Sequence, residues 1–156
     1  MHIFVDASVR KGVAIGCYLI LDKIENYDKI TCQPISIQFY SNSSTIAEYM
    51  NVLHVLKYVD SLSTKPTTKI TMYTDCNNLI NLINERQYSD RIKKHINYSF
   101  YKEIIDLIAK YKVTLIKLEG HCKKSTDPLK IIFREVDKKS RKKARNPDYL
   151  MLNNLN

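Results

Sequence analysis

Four acidic residues and one histidine stand where their chemistry could converge: Asp6, Glu48, Asp75, Asp137 and His121. Asp6 closes one apolar run (Ile3, Phe4, Val5) and Asp75 closes another (Ile70, Met72), so neighbouring strands would hold the two side by side. Glu48 falls early in a helical pattern, Asp137 within a second, and His121 follows a strand in Glu119-Gly120-His121. Carboxylates gathered around an imidazole move protons and hold negative charge where a reaction needs it. Each residue also has a local structural use. Asp6 opens the turn before Gly12. Glu48 completes Thr45-Ile46-Ala47-Glu48, a capping box. Asp75 caps a helix that starts at Cys76. Asp137 stands four residues before Arg141, the favourable order for a helical ion pair. His121 serves as a loop histidine. Taken together, these local uses require five coincidences of residue type, order and placement.

The elements that must position these residues are legible from periodicity. Residues 2–8 and 13–21 are apolar, strand-like runs separated by a turn at Arg10-Lys11-Gly12, and residues 30–40 alternate as a third strand. Ser43-Ser44-Thr45 then precede Ile46, Tyr49, Met50, Leu53 and Leu56, whose spacing predicts an amphipathic helix that Pro66 closes. Residues 69–74 predict a fourth strand, 79–83 a short helix, 98–110 a longer one, and 113–118 a fifth strand. A polar loop runs to Pro128, and a last helix over 131–145 stops at Asn146-Pro147. The order β-β-β-α-β-α-α-β-α predicts an α/β fold, a five-stranded mixed sheet with helices on its faces. Strand 1 would lie between strands 2 and 4, and a crevice opens where the chain leaves it in both directions.

Charge is as unevenly placed as the carboxylates. Between Lys110 and Arg145 there are 13 basic and 4 acidic residues, a net of +9, which is the excess of the whole chain. A solvated helix face is one reading of such a segment. Confining the entire excess to one quarter of the sequence points to an anionic partner, nucleic acid before membrane. Lys138 and Lys142 share one helical face and Lys139 and Lys143 another, so one pair is expected to meet the substrate and the other to be silent. Lysine outnumbers arginine 19 to 6, which favours point-charge contacts to phosphate over bidentate reading of bases. With 156 residues, 44% hydrophobic and 26% charged, the chain suits one compact domain. No apolar stretch approaches a membrane span, and the four cysteines lack paired spacing, so a soluble, cytoplasmic monomer with reduced thiols is expected.

Taken in order, the motifs resemble those of the type 1 ribonuclease H family. They are Phe4-Val5-Asp6-Ala7-Ser8, Ser44-Thr45-Ile46-Ala47-Glu48, Tyr73-Thr74-Asp75-Cys76-Asn77, Gly120-His121, and Val136-Asp137 followed by Ser140-Arg141 and Ala144. The resemblance covers residues 1–145, a catalytic domain, and leaves 146–156 as a tail. It implies a metal-dependent endonuclease that cuts the RNA strand of an RNA–DNA hybrid. Two Mg²⁺ ions, with Mn²⁺ as a substitute, would be held by Asp6, Glu48, Asp75 and Asp137, and His121 would shuttle protons. Ser44, Thr45 and Asn77 would touch nucleic acid, together with Lys138, Lys139, Lys142 and Lys143. The link between the middle helices holds Arg91, Lys93 and Lys94 without a long basic protrusion, which shifts binding toward the C-terminal segment. Two other readings share the fold: a binding module without catalysis, and a nuclease for double-stranded RNA or DNA.

Overall fold

The computed structural model describes residues 1–62, 69–120 and 125–146. Its organising unit is a hairpin of β1 (His2–Arg10) and β2 (Val13–Leu21), paired from Arg10↔Val13 down to His2↔Leu21. Lys11 and Gly12 join them with φ of 51° and 80°. Positive φ at both central positions is the turn geometry that matches the right-handed twist of the strands, and glycine adopts it without a Cβ penalty.

β3 (Ile35–Tyr40) pairs antiparallel with β2. The strand expected over 30–40 is therefore half strand and half turn. Asp28 captures the amide of Ile30 at 3.1 Å and the hydroxyl of Thr31 at 2.9 Å, and its carbonyl accepts from Cys32 N–H. These local bonds compete with a ladder. Pro34, which lacks an N–H, confines the strand to the residues after it.

α1 (Ser44–Ser61) begins on Ser43, whose hydroxyl accepts from Ile46 N–H at 3.3 Å. Thr45 is thus already inside the helix, and the capping box read at Thr45 and Glu48 does not form. β4 (Thr71–Thr74) lies parallel to β1, and β5 (Thr114–Lys117) lies parallel to β4. The sheet order is β3-β2-β1-β4-β5, as the crossover pattern predicts. α2 (Asn77–Asn84), the short α3 (Asp90–Lys93) and α4 (Tyr98–Lys110) connect β4 to β5. α2 begins at Asn77 with Cys76 at its N-cap position, one residue later than a cap at Asp75 would place it. α3 is held by one buried side chain, Ile92, too little periodicity to be read from sequence.

α5 (Pro128–Arg145) starts before the expected residue 131. Asp127 accepts from Leu129 N–H at 2.9 Å, and Pro128 occupies the first turn, where its missing N–H costs nothing. The proline read as the end of a loop is the start of the helix.

Two cores sandwich the sheet. Ile3 and Val5 pack with Val52, Leu56 and Ile104 under α1 and α4, whereas Phe4, Ile15 and Cys17 pack with Phe133, Val136 and Ala144 of α5. Strand alternation consequently directs Asp6, in step with Phe4, toward α5. Pairing between β1 and β4 reaches Phe4↔Tyr73, while β1 runs on to Arg10. Asp6 sits just beyond that last pair, in the crevice where β1 parts from β4.

Candidate active site

Three carboxylates meet in this crevice. Asp6, Glu48 and Asp75 each offer an oxygen, and these atoms lie within 4.8 Å of one another. β1 supplies Asp6, the first turns of α1 supply Glu48, and the residue after β4 is Asp75. Asp6 is 4% exposed and Glu48 is 7% exposed. Glu48 Oε1 accepts from the Ala7 amide at 2.9 Å, which ties the helix to β1. Its Oε2 is buried with no hydrogen-bond partner.

Burial and mutual repulsion set the protonation of the group. Desolvation, reinforced by Asp75 and Asp137, pushes the Asp6 carboxyl up to about 7 against the opposing pull of the Ser140 hydroxyl and Arg141. Desolvation and then Asp6 push Glu48 well above the usual carboxylate range. Two routes relieve such a cluster: protonation, or a cation. An oxygen-only donor set with an unpartnered buried carboxylate oxygen fits a hard divalent ion such as Mg²⁺ or Mn²⁺.

Asp137 stands apart from the three. It is 2% exposed, faces the site from α5, and binds Arg141 at 2.6 Å, the helical ion pair that its spacing offers. Its charge is felt by Asp6 and Glu48. Ser140, one turn farther on, donates to Asp6 Oδ2 and lies 2.9 Å from the Asp137 carbonyl. Its position three residues after Asp137 in the last motif was the available signal.

Two further residues shape the site. Asn51, fully buried on α1, donates to the carbonyls of Asp6 at 3.0 Å and Cys17 at 2.9 Å. Gly120 lies so close to Asp75 that a Cβ there would sit 2.2 Å from Oδ2. The Gly-His pair therefore has a steric reason for its first member. His121 itself lies outside the described residues.

Thr45 and Ser44 open α1, and Thr45 Oγ1 accepts from the Asn78 side chain at 2.9 Å. The residue that links the two helix starts is thus Asn78, and Asn77 beside it is exposed. Lys138 and Lys142 are exposed, and Lys139 and Lys143 half-buried, yet all four line one cavity. The two helical faces are not separated as the spacing alone suggests, because the 27–34 segment lies against the edge they share. Cys17, Cys32 and Cys76 are free thiols; burial pushes Cys17 up to about 12 and Cys76 to about 11, which keeps both protonated. Among the described residues, no helix is long and apolar enough to cross a membrane.

The fold has solved counterparts. The prototype foamy virus protease–reverse transcriptase superposes with a TM-score of 0.72 at 15% identity, over 92% of this chain and 20% of that one. LC11-RNase H1, solved in complex with an RNA/DNA hybrid, gives 0.54 at 11% identity over 76% of this chain and 85% of its own. RNase H1 from the halophilic archaeon Halobacterium salinarum gives 0.55 at 9% identity with the same coverage, 76% and 85%. This chain spans one fifth of the foamy virus protein and most of each RNase H1. A comparison with curated protein sequences finds no match. The family model described as reverse transcriptase-like matches residues 4–126, which hold three of the gathered carboxylates, and on that match and its ribonuclease H fold the chain belongs to this family.

Proposed function

We propose that this protein is a divalent-cation-dependent endonuclease that hydrolyses the RNA strand of RNA–DNA hybrids. The observation that carries the reading is the convergence of Asp6, Glu48 and Asp75 within 4.8 Å, with a buried Glu48 oxygen left unpartnered. Three nearby carboxylates are unfavourable for folding and favourable for holding metal, and a phosphodiester is the substrate that such a charge arrangement serves. Asp6, Glu48 and Asp75 would hold the metal, with Asp137 facing them from α5 as the further carboxylate. Mg²⁺ or Mn²⁺ held there would supply the charge that lowers the pKa of an attacking water and offsets charge on the leaving oxygen.

The chain's own residues do the rest. Asn51 and Ser140 fix the backbone and carboxylate of Asp6, Glu48 anchors α1 to β1, and His121 accepts or returns a proton as product leaves. Thr45, Ser44, Asn77 and the lysines of α5 contact the nucleic acid through phosphate and sugar, which makes cleavage indifferent to sequence. The protein acts as a monomer.

Labelled hybrid, double-stranded DNA and double-stranded RNA, each incubated with and without Mg²⁺, test the reading. Mg²⁺-dependent loss of the RNA strand from the hybrid alone is expected. Binding without cleavage would make the protein a catalytically silent module, and cleavage of either homoduplex would reassign the substrate.

A further inference from the structure

We propose that the cavity between the 27–34 segment and the last turns of α5 is a phosphate-binding pocket that grips the nucleic-acid backbone away from the carboxylates. The inference deepens the hybrid-nuclease reading and rests on it for the identity of the strand. The pocket has a volume of about 570 Å³, and its wall includes Lys29, Lys138, Lys139, Lys142 and Lys143. Four of these lysines come from α5, and Lys29 comes from the other side, more than a hundred residues away in sequence. The fold thus brings to one cavity lysines that no stretch of sequence contains.

Among the described residues, one carboxylate, Glu135, lies in that wall. It is already shared among Lys29 at 3.4 Å, Lys138 at 3.7 Å and Arg134 at 3.8 Å. Among the described residues of the wall, five lysines stand against one acid, and gathering like charges in one concavity favours an anion there. Tyr27 also lines the cavity, and its hydroxyl is buried with no hydrogen-bond partner, a donor suited to a phosphate oxygen. Lys139 donates to the Pro34 carbonyl, which fixes the 27–34 segment against the helix and keeps the two walls together.

The chemistry selects phosphate over a base. Among its described residues the pocket wall has lysine and no arginine, so it offers compact charges without the planar fork that reads base edges. Its position selects a strand that also reaches the crevice. Lys142 stands five residues beyond Asp137 on α5, about 7.5 Å along the helix axis.

Lys29→Gln is the decisive variant, because Lys29 is exposed, lies outside α5 and is not one of the gathered carboxylates' hydrogen-bond partners. Hybrid affinity is measured from low to moderate salt, without divalent cation, for wild type, Lys29→Gln and Lys102→Gln. Lys102 pairs with Asp106 on α4 and controls for the loss of one charge. The pocket predicts that Lys29→Gln weakens binding to any hybrid sequence and flattens the log–log salt slope by roughly 0.7–0.9, while Lys102→Gln leaves the slope unchanged. An unchanged slope in Lys29→Gln, or equal flattening in both variants, overturns the proposal. Inorganic phosphate alone forms a second arm, read by thermal unfolding. If it stabilises wild type but not Lys29→Gln while the hybrid slopes coincide, the site serves free phosphate and the strand-binding proposal fails. Mg²⁺-dependent cleavage by wild type is scored separately. A protein that cleaves nothing yet shows the Lys29 effect refutes the nuclease reading and leaves the pocket standing. One that cleaves hybrids without the effect refutes the pocket alone.

Discussion

Asn51 holds Asp6 by its backbone: the amide of a fully buried helical side chain donates to the Asp6 carbonyl at 3.0 Å and, at 2.9 Å, to the carbonyl of Cys17, its partner across the hairpin. Gly16 makes the room. A Cβ there would lie 2.5 Å from Asn51 Oδ1, and the pinned side chain has nowhere to retreat. Gly16→Ala is therefore expected to cost about 1–3 kcal/mol through overpacking. Asn51→Ala loses two hydrogen bonds worth about 0.5–1.5 kcal/mol each. Denaturant unfolding measures both. Cleavage should fall in both variants by more than the stability loss explains, because each loosens the strand that carries Asp6.

Asp6→Asn and Asp75→Asn are expected to abolish hydrolysis while the protein stays folded and still binds hybrid. Each removes a charged ligand with little change of side-chain volume. His121→Ala is expected to retain measurable turnover, slowed by about 10²–10⁴-fold, the range for losing a proton shuttle. Single-turnover cleavage with circular dichroism on each variant distinguishes the two classes. Near-normal turnover in Asp75→Asn would contradict the metal-site assignment.

The buried carboxylates also predict how stability depends on pH. Asp6 titrates near 7 in the folded chain against an ordinary value of 3.8, and Glu48 is shifted in the same direction. Across that window the folded chain retains protons that the unfolded chain has released, so without metal its stability falls as pH rises. Asp75, Asp137 and Arg141 face the same cluster, and the two aspartates reinforce the effect. Mg²⁺ substitutes for those protons. Thermal unfolding should show Mg²⁺ raising Tm more at pH 8 than at pH 5.5, by roughly 2–4 °C for each kcal/mol relieved. Asp6→Asn should be the more stable protein at pH 8 without metal and should lose that Mg²⁺ increment.

Gly120 and Gly12 offer a contrast between two glycines. A Cβ at Gly120 would collide with Asp75 Oδ2, whereas Gly12 is required by its φ of 80°. Gly120→Ala is expected to weaken Mn²⁺ binding about tenfold or more, consistent with disturbance of a group that orients a ligand. Gly12→Ala is expected to lower stability by about 1 kcal/mol or more with metal affinity unchanged. Calorimetric titration of Mn²⁺, paired with unfolding curves, reads both effects.

The pattern of β2 and the whole of α4 followed from periodicity, because each buries a face whose spacing is written locally: period two for the strand, three to four for the helix. The hairpin at Lys11-Gly12, the sheet order and the placing of Asp6 on β1, Glu48 early in α1 and Asp75 just after β4 were legible for the same reason. Tertiary structure decided what local patterns leave open. Glu48 reads equally well as a capping residue, and only its bond to Ala7, 41 residues away, removes it from the helix start and turns it toward Asp6. Asp137 and Arg141 show the reverse, since here the pair that local spacing offers does form, while its charge still reaches Asp6 and Glu48. Ser140 reaches Asp6 across 134 residues, and Lys29 joins the lysines of α5 from the segment between β2 and β3. Such contacts are set by which elements the core packs together. Burial is a property of the assembled sheet and helices, so a sequence records which residues want a partner and leaves to the fold which partner each one meets.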